Sequence, residues 1–191
     1  MTTRQGTEGE SGPARYTYRL RVSSTARAGL MAEWARCRWV WNECVAMSRK
    51  VHGLNRDTVE KTTCGPAQLD KLLTEARTAM GWLREGSSVP QQQTIRDFGK
   101  SRAKALKDIK AKLPMRRRAG MPRIKRKRDA LPSMNYTRRG FRVKDGRLHL
   151  AGGIALRVVG SAGRSRDHTT VRAMPPARCR RPSFSRKPRR V

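Results

Sequence analysis

One stretch, residues 24–53, does most to limit what this chain can fold into. Within it Leu30, Trp34, Trp41 and Val45 recur at helical spacing, with Met31, Cys37 and Cys44 beside them. Apolar residues at that beat form a broad stripe on one face of a helix, and the stripe has to be covered. Arg27, Glu33, Arg36, Glu43, Arg49 and Lys50 fall largely elsewhere. Ser24 or Thr25 supplies an oxygen for the free N–H groups at the start, and Gly53 is a residue suited to the left-handed conformation that ends a helix. Trp34 and Trp41 lie on the stripe and read as core. Arg38 and Trp39 lie off its centre and read as candidates for a surface role.

The flanks supply what covers the stripe. Tyr16, Tyr18, Leu20 and Val22 alternate with polar residues, the mark of a strand with one buried face. Residues 54–65 are unpatterned and read as a loop. Pro66 opens a second helix carrying Leu69, Leu72, Leu73 and Ala76, and Trp82-Leu83 closes that segment against a core. Gly86-Ser87-Ser88 breaks it, and Ser88 with Gln91 fits a capping box. A third helix runs from about Pro90 to Leu113 on Ile95, Phe98, Ala105, Leu106 and Ile109, with Arg96, Lys100, Arg102, Lys104, Lys107 and Lys110 along its exposed side. Pro114 stops it.

The period then changes to two. Met134 and Tyr136, and later Phe141 and Val143, alternate with polar residues, and Asp145-Gly146 signals a hairpin into 148–150. Gly152-Gly153 makes another turn before Ile154, Leu156 and Val158. The expected fold class is α+β: an N-terminal strand, a three-helix bundle, then a small antiparallel β-meander. Residues 1–15 are expected as a disordered leader, 16–114 as the strand and helical region, 115–128 as a basic loop, 129–160 as the sheet and 161–191 as a disordered basic tail.

Charge points to the partner. The chain of 191 residues holds 45 Lys plus Arg against 14 Asp plus Glu, a net charge of +31. A fold carrying that much charge repels itself, and a polyanion relieves the repulsion while releasing its own counterions. The densest block is Arg116, Arg117 and Arg118 followed by Arg123, Lys125, Arg126, Lys127 and Arg128. Pro122 and Ile124 interrupt it with order-forming residues, which favours a binding loop over a plain linker. With Arg38, Trp39, Asn42, Arg102 and Lys104 these are the candidate nucleic-acid-binding residues. An anionic membrane is the weaker alternative, because no basic segment adjoins an amphipathic helix with a clean apolar face.

No secretory leader or membrane-spanning run is legible, so a cytoplasmic or nucleoid-associated protein is expected. Cys37, Cys44, Cys64 and Cys179 form no Cys-x-x-Cys pair, and His52, His149 and His168 stand alone. No metal, cofactor, small-molecule substrate or catalytic residue is expected from these spacings.

Several islands, taken in order, resemble the N-terminal half of the TnpB (OrfB) proteins encoded by bacterial insertion sequences. The Tyr16-Thr-Tyr-Arg-Leu20 strand precedes the helix with Cys37-Arg-Trp-Val-Trp-Asn42, similar to that family's CRFVYN core. Ser88-Val-Pro-Gln-Gln-Gln93 is similar to a helix start of the family, and Gly120-Met-Pro-Arg-Ile-Lys125 to its GxPRFK loop, with Ile124 where Phe is usual. Asn135-Tyr-Thr137, Gly140-Phe141 and Gly146-Arg-Leu-His-Leu150 are similar to the small sheet that follows. The resemblance spans roughly Tyr16 to Val159. It implies a β-barrel (wedge) domain interrupted by a helical recognition domain, often termed a helix-turn-helix in such proteins, that grips guide RNA or DNA.

It also implies that the RuvC-like nuclease half, with its metal-binding carboxylates, is missing. Only Asp167 follows Val159, and the tail after Gly160 looks unlike the family, as a shifted or decayed reading frame would. A transposon-associated nucleic-acid-binding fragment without cleavage activity is therefore the expected function. A basic RNA-binding protein of ribosome or nucleoid, or an autonomous helix-turn-helix DNA binder, are the alternatives. The long 54–65 loop argues against the last.

Overall fold

A computed structural model describes residues 18–128 and 132–159, with the backbone of 170–173. The elements in order are β1 (Arg19–Arg21), α1 (Ser24–Asp57), α2 (Pro66–Ala79), α3 (Gly81–Arg84), α4 (Ser88–Lys110), β2 (Met134–Thr137), β3 (Phe141–Lys144), β4 (Arg147–Leu150), β5 (Ile154–Val159) and β6 (Thr170–Ala173). The fold is α+β, as the change of period from helix to strand requires.

α1 is the spine, and two cores divide it. Its first half sends Ala26, Leu30, Trp34 and Cys37 against Met134 and Tyr136 of β2 and Leu148, Leu150, Ile154 and Leu156 of the sheet. Its second half sends Val40, Trp41, Cys44, Val45 and Val51 against Leu69, Leu73, Leu83, Ile95 and Phe98. The Trp41 ring meets Phe98 edge to face, centroids 5.5 Å apart. Both halves draw on one apolar stripe, which explains why the helix is so long.

The helix ends differ from the expected ones. Ser23, not Ser24 or Thr25, caps α1, its hydroxyl accepting from Ala26 N at 3.2 Å. The helix runs through Gly53 to Asp57, and Thr58 ends it, donating its backbone N–H and its hydroxyl to the Leu54 carbonyl. A glycine ends a helix only when the chain turns left-handed there, and this one does not. The loop then folds back on the last turn, with the Asn55 amide bonded both ways to the Thr62 backbone at 2.8 Å.

α4 begins two residues earlier than Pro90. Ser87 caps it and accepts from Val89 N at 3.3 Å. The Ser88–Gln91 capping box does not form, because Gln91 is fully buried and its amide serves the preceding turn. It donates to the Leu83 carbonyl at 3.0 Å and accepts from Arg77 at 2.7 Å.

The strands assemble as β1-β5-β4-β3, all antiparallel. β1 therefore closes one edge of the meander across the whole helical segment. The β3–β4 hairpin turns at Asp145 and Gly146, both at positive φ (51° and 66°), the backbone that its two-residue turn demands. β2 leaves the meander and pairs with β6, Tyr136 opposite Val171. Residues 170–173 thus form a strand within the segment expected to be disordered; four residues, Thr-Val-Arg-Ala, are too short a run to show a period. The rest of that segment, and residues 1–15, lie outside the described residues. Among the described residues no helix is long and apolar enough to cross a membrane.

Candidate nucleic-acid interface

The basic loop is fastened to α1 through its backbone. After α4 the chain doubles back. Asp108 accepts from Ala119 N at 2.7 Å, and the Arg118 guanidinium donates to the Leu113 carbonyl. Trp41 Nε1 then donates to the Arg123 carbonyl at 2.8 Å. The Asn42 amide grips Lys125 from both sides, accepting from its N–H at 2.8 Å and donating to its carbonyl at 3.3 Å. The Arg38 guanidinium reaches that same carbonyl at 3.4 Å. A side-chain amide bonded to both backbone groups of one residue fixes it as a neighbouring strand would.

Two islands far apart in sequence, 37–42 and 120–125, are thus joined directly. The Lys125 ammonium sits 3.7 Å from the centre of the Trp41 ring, a cation–π approach. Arg38 lies 5.6 Å from the Trp34 ring centroid, and its Nε is buried without a partner among the described residues. Arg38, Asn42 and Lys125 therefore serve first to shape the loop. Arg123, Arg126, Lys127 and Arg128 are exposed. None of these four pairs with a carboxylate among the described residues; the ion pairs seen there join Arg36 to Glu33 and Glu85, and Lys71 to Glu75.

The remaining candidates divide the same way. Arg116 and Arg117 are exposed on a short 3-10 turn, and Lys104 is exposed on α4. Arg102 faces inward, donating to the Ser48 hydroxyl at 3.0 Å and the Cys64 carbonyl at 3.1 Å, and so ties α4 to α1 and the intervening loop. Trp39 is half-buried, edge-on to Trp82 with centroids 6.1 Å apart.

The buried titratable groups of α1 are structural. Glu33 is buried at 3% exposure, accepts from Arg36 at 3.0 Å and receives the Ser87 N–H at 3.2 Å. Loss of water pushes its carboxyl above the ordinary value, and the Arg36 charge only partly offsets this. Burial likewise pushes the Cys37 and Cys44 thiols up to about 12, so both stay protonated and act as small apolar groups. Among the described residues no three His, Cys, Asp or Glu side chains gather as metal ligands would.

The sequence pattern missed one set of cations altogether. Arg21, Lys144, Arg147 and Arg157 are exposed on the sheet. Their alternation with apolar residues was the available signal, but alternation alone does not say which strands adjoin. No protein-family model matches this chain, and no curated protein matches it.

Proposed function

We propose that this chain is a nucleic-acid-binding fragment of a transposon-associated TnpB/OrfB-like protein, gripping phosphates without cutting them. The observation that carries the reading is the fastened loop. Side-chain bonds from Trp41, Asn42 and Arg38 to the backbone of Arg123 and Lys125 hold 123–125, so the adjoining exposed cations are ordered before a ligand arrives. An ordered loop loses less entropy on binding than a free linker does. The two ends of the fastening are also two of the islands that carry the resemblance. A sheet whose first strand is separated from the rest by helices supports the wedge-with-insert arrangement that the resemblance implies.

The test is a binding titration at several salt concentrations, combined with sequencing of copurifying nucleic acid. With about six phosphates neutralised, log K falls against log salt with a slope of roughly −5 on duplex DNA. A slope near zero refutes the electrostatic mode. Enrichment of transcripts or ends of one mobile element supports the transposon reading. A plain sample of ribosomal RNA points instead to a structural RNA binder.

A further inference from the structure

The strand register lines up one cation from every strand of the main sheet. Arg21 of β1 lies opposite Arg157 of β5, Arg157 opposite Arg147 of β4, and Arg147 opposite Lys144 of β3. Directly opposed residues of an antiparallel pair point to the same face, so the four side chains form one row across the sheet. At about 4.8 Å per strand the row spans roughly 14 Å. All four are exposed, and none has a side-chain ion pair among the described residues. The opposite face carries Leu148, Leu150, Ile154 and Leu156 into the core, so a one-residue slip of register would bury the charges.

Like charges directly opposed across strands destabilise a sheet. Here they are stacked without a break, and Arg142, opposite His149, adds a further cation on the same face. A depression of about 470 Å³ beside the row is lined by Asp145, Gly146, Arg147, Arg157 and Val158, with Asp145 its one carboxylate. An arrangement that costs stability and is satisfied by an anion marks a binding face.

Three observations select the anion. The row runs across a sheet, so it suits a rigid, evenly charged rod better than a single small anion. No Phe, Tyr or Trp is registered with the row's residues on that face, so it offers no platform for unstacked bases. Val159, opposite Arg19, is the one large apolar side chain exposed on that face among the described residues, too little to enter a lipid interface. From these we propose that the open face of the β1-β5-β4-β3 sheet is a second nucleic-acid site, separate from the 123–128 loop, that takes the phosphodiester backbone of a double-stranded segment without reading its sequence. The choice of ligand rests on the nucleic-acid reading above; the row itself does not.

The full chain is titrated with a mixed-sequence DNA duplex, the matching RNA duplex, either single strand and phosphatidylserine vesicles, each over a range of salt. Arg147→Gln with Arg157→Gln is expected to make the duplex salt slope shallower by about 1.8, at about 0.9 for each phosphate no longer neutralised. Arg157→Gln alone gives about half that shift and serves if the double variant fails to fold. Arg147→Lys with Arg157→Lys keeps the wild-type slope. The free glutamine variants melt no lower than wild type, since the substitution removes repulsion and leaves the buried face intact. The two duplex arms tell DNA from RNA as the source of the phosphates. Unchanged duplex affinity and slope in the glutamine variants overturns the second site, as does a loss confined to single strands or to vesicles. Absence of any nucleic-acid binding by the wild-type chain sinks the proposed function instead, and the two failures are thereby distinguishable.

Discussion

The two basic surfaces are built by opposite means. In the 123–128 loop, charge is dense in sequence and the fold's task is to hold the backbone, through Asn42, Trp41 and Arg38. On the sheet, charge is sparse in sequence and the fold's task is to bring it together, through the pairing of Arg21, Arg157, Arg147 and Lys144. The loop needs anchors beneath it because a run of like charges does not order itself. The sheet needs none, because its ladder and its buried face already fix every position. A basic surface can therefore be a positioned segment or a product of register, and the two should answer differently to substitution.

The largest expected effect comes from the anchor that is also core. Trp41→Ala removes an indole packed on Phe98 and bonded to the Arg123 carbonyl, and should lower the stability of the helical core by about 3–5 kcal/mol. Thermal or denaturant unfolding measures it. An unchanged midpoint would mean that the second half of α1 is not buried.

Asn42→Ala is the sharper cut between positioning and direct binding. It removes two bonds to the Lys125 backbone, each worth about 0.5–1.5 kcal/mol, while leaving every exposed cation in place. Affinity for nucleic acid should drop several-fold with the salt slope unchanged, because the loop loses order and keeps its charges. Arg126→Gln with Lys127→Gln and Arg128→Gln should do the reverse, shallowing the slope by about 2.7 if all three meet phosphates. A slope that shifts with Asn42→Ala as well would merge the two roles.

The smallest effect concerns Glu33, which ties the start of α4 to the sheet side of α1. Its folded pKa is raised above 4.5, so the folded protein binds its proton more readily than the unfolded chain does. The group's contribution to stability is then largest below 4.5 and diminishes as pH rises through the folded value. Wild type should gain stability relative to Glu33→Gln as the solution is acidified toward that value. Melting curves of both proteins over the acid range measure the difference, and a gap that moves the other way on acidification would reverse the assignment.

What could be read from the chain alone was whatever consecutive residues record. The stripe from Leu30 to Val45, the Pro66 start, the Asp145-Gly146 turn and the basic block all persist in the structure, because period, backbone preference and charge density are local properties. Helix ends were legible only in part. Whether Ser23 or Ser24 caps α1, and whether Gly53 stops it, depends on one bond or one dihedral that the neighbouring core decides. Partners distant in sequence could not be read at all. Arg21 and Arg157 stand near opposite ends of the main described segments, and Asn42 and Lys125 are also far apart; each pairing exists only because α1 brings its two ends to different cores. The sequence alone set the elements and the charge. The tertiary structure decided which charges stand in a row and which are held in a loop, because register and docking are relations between segments that no single segment encodes.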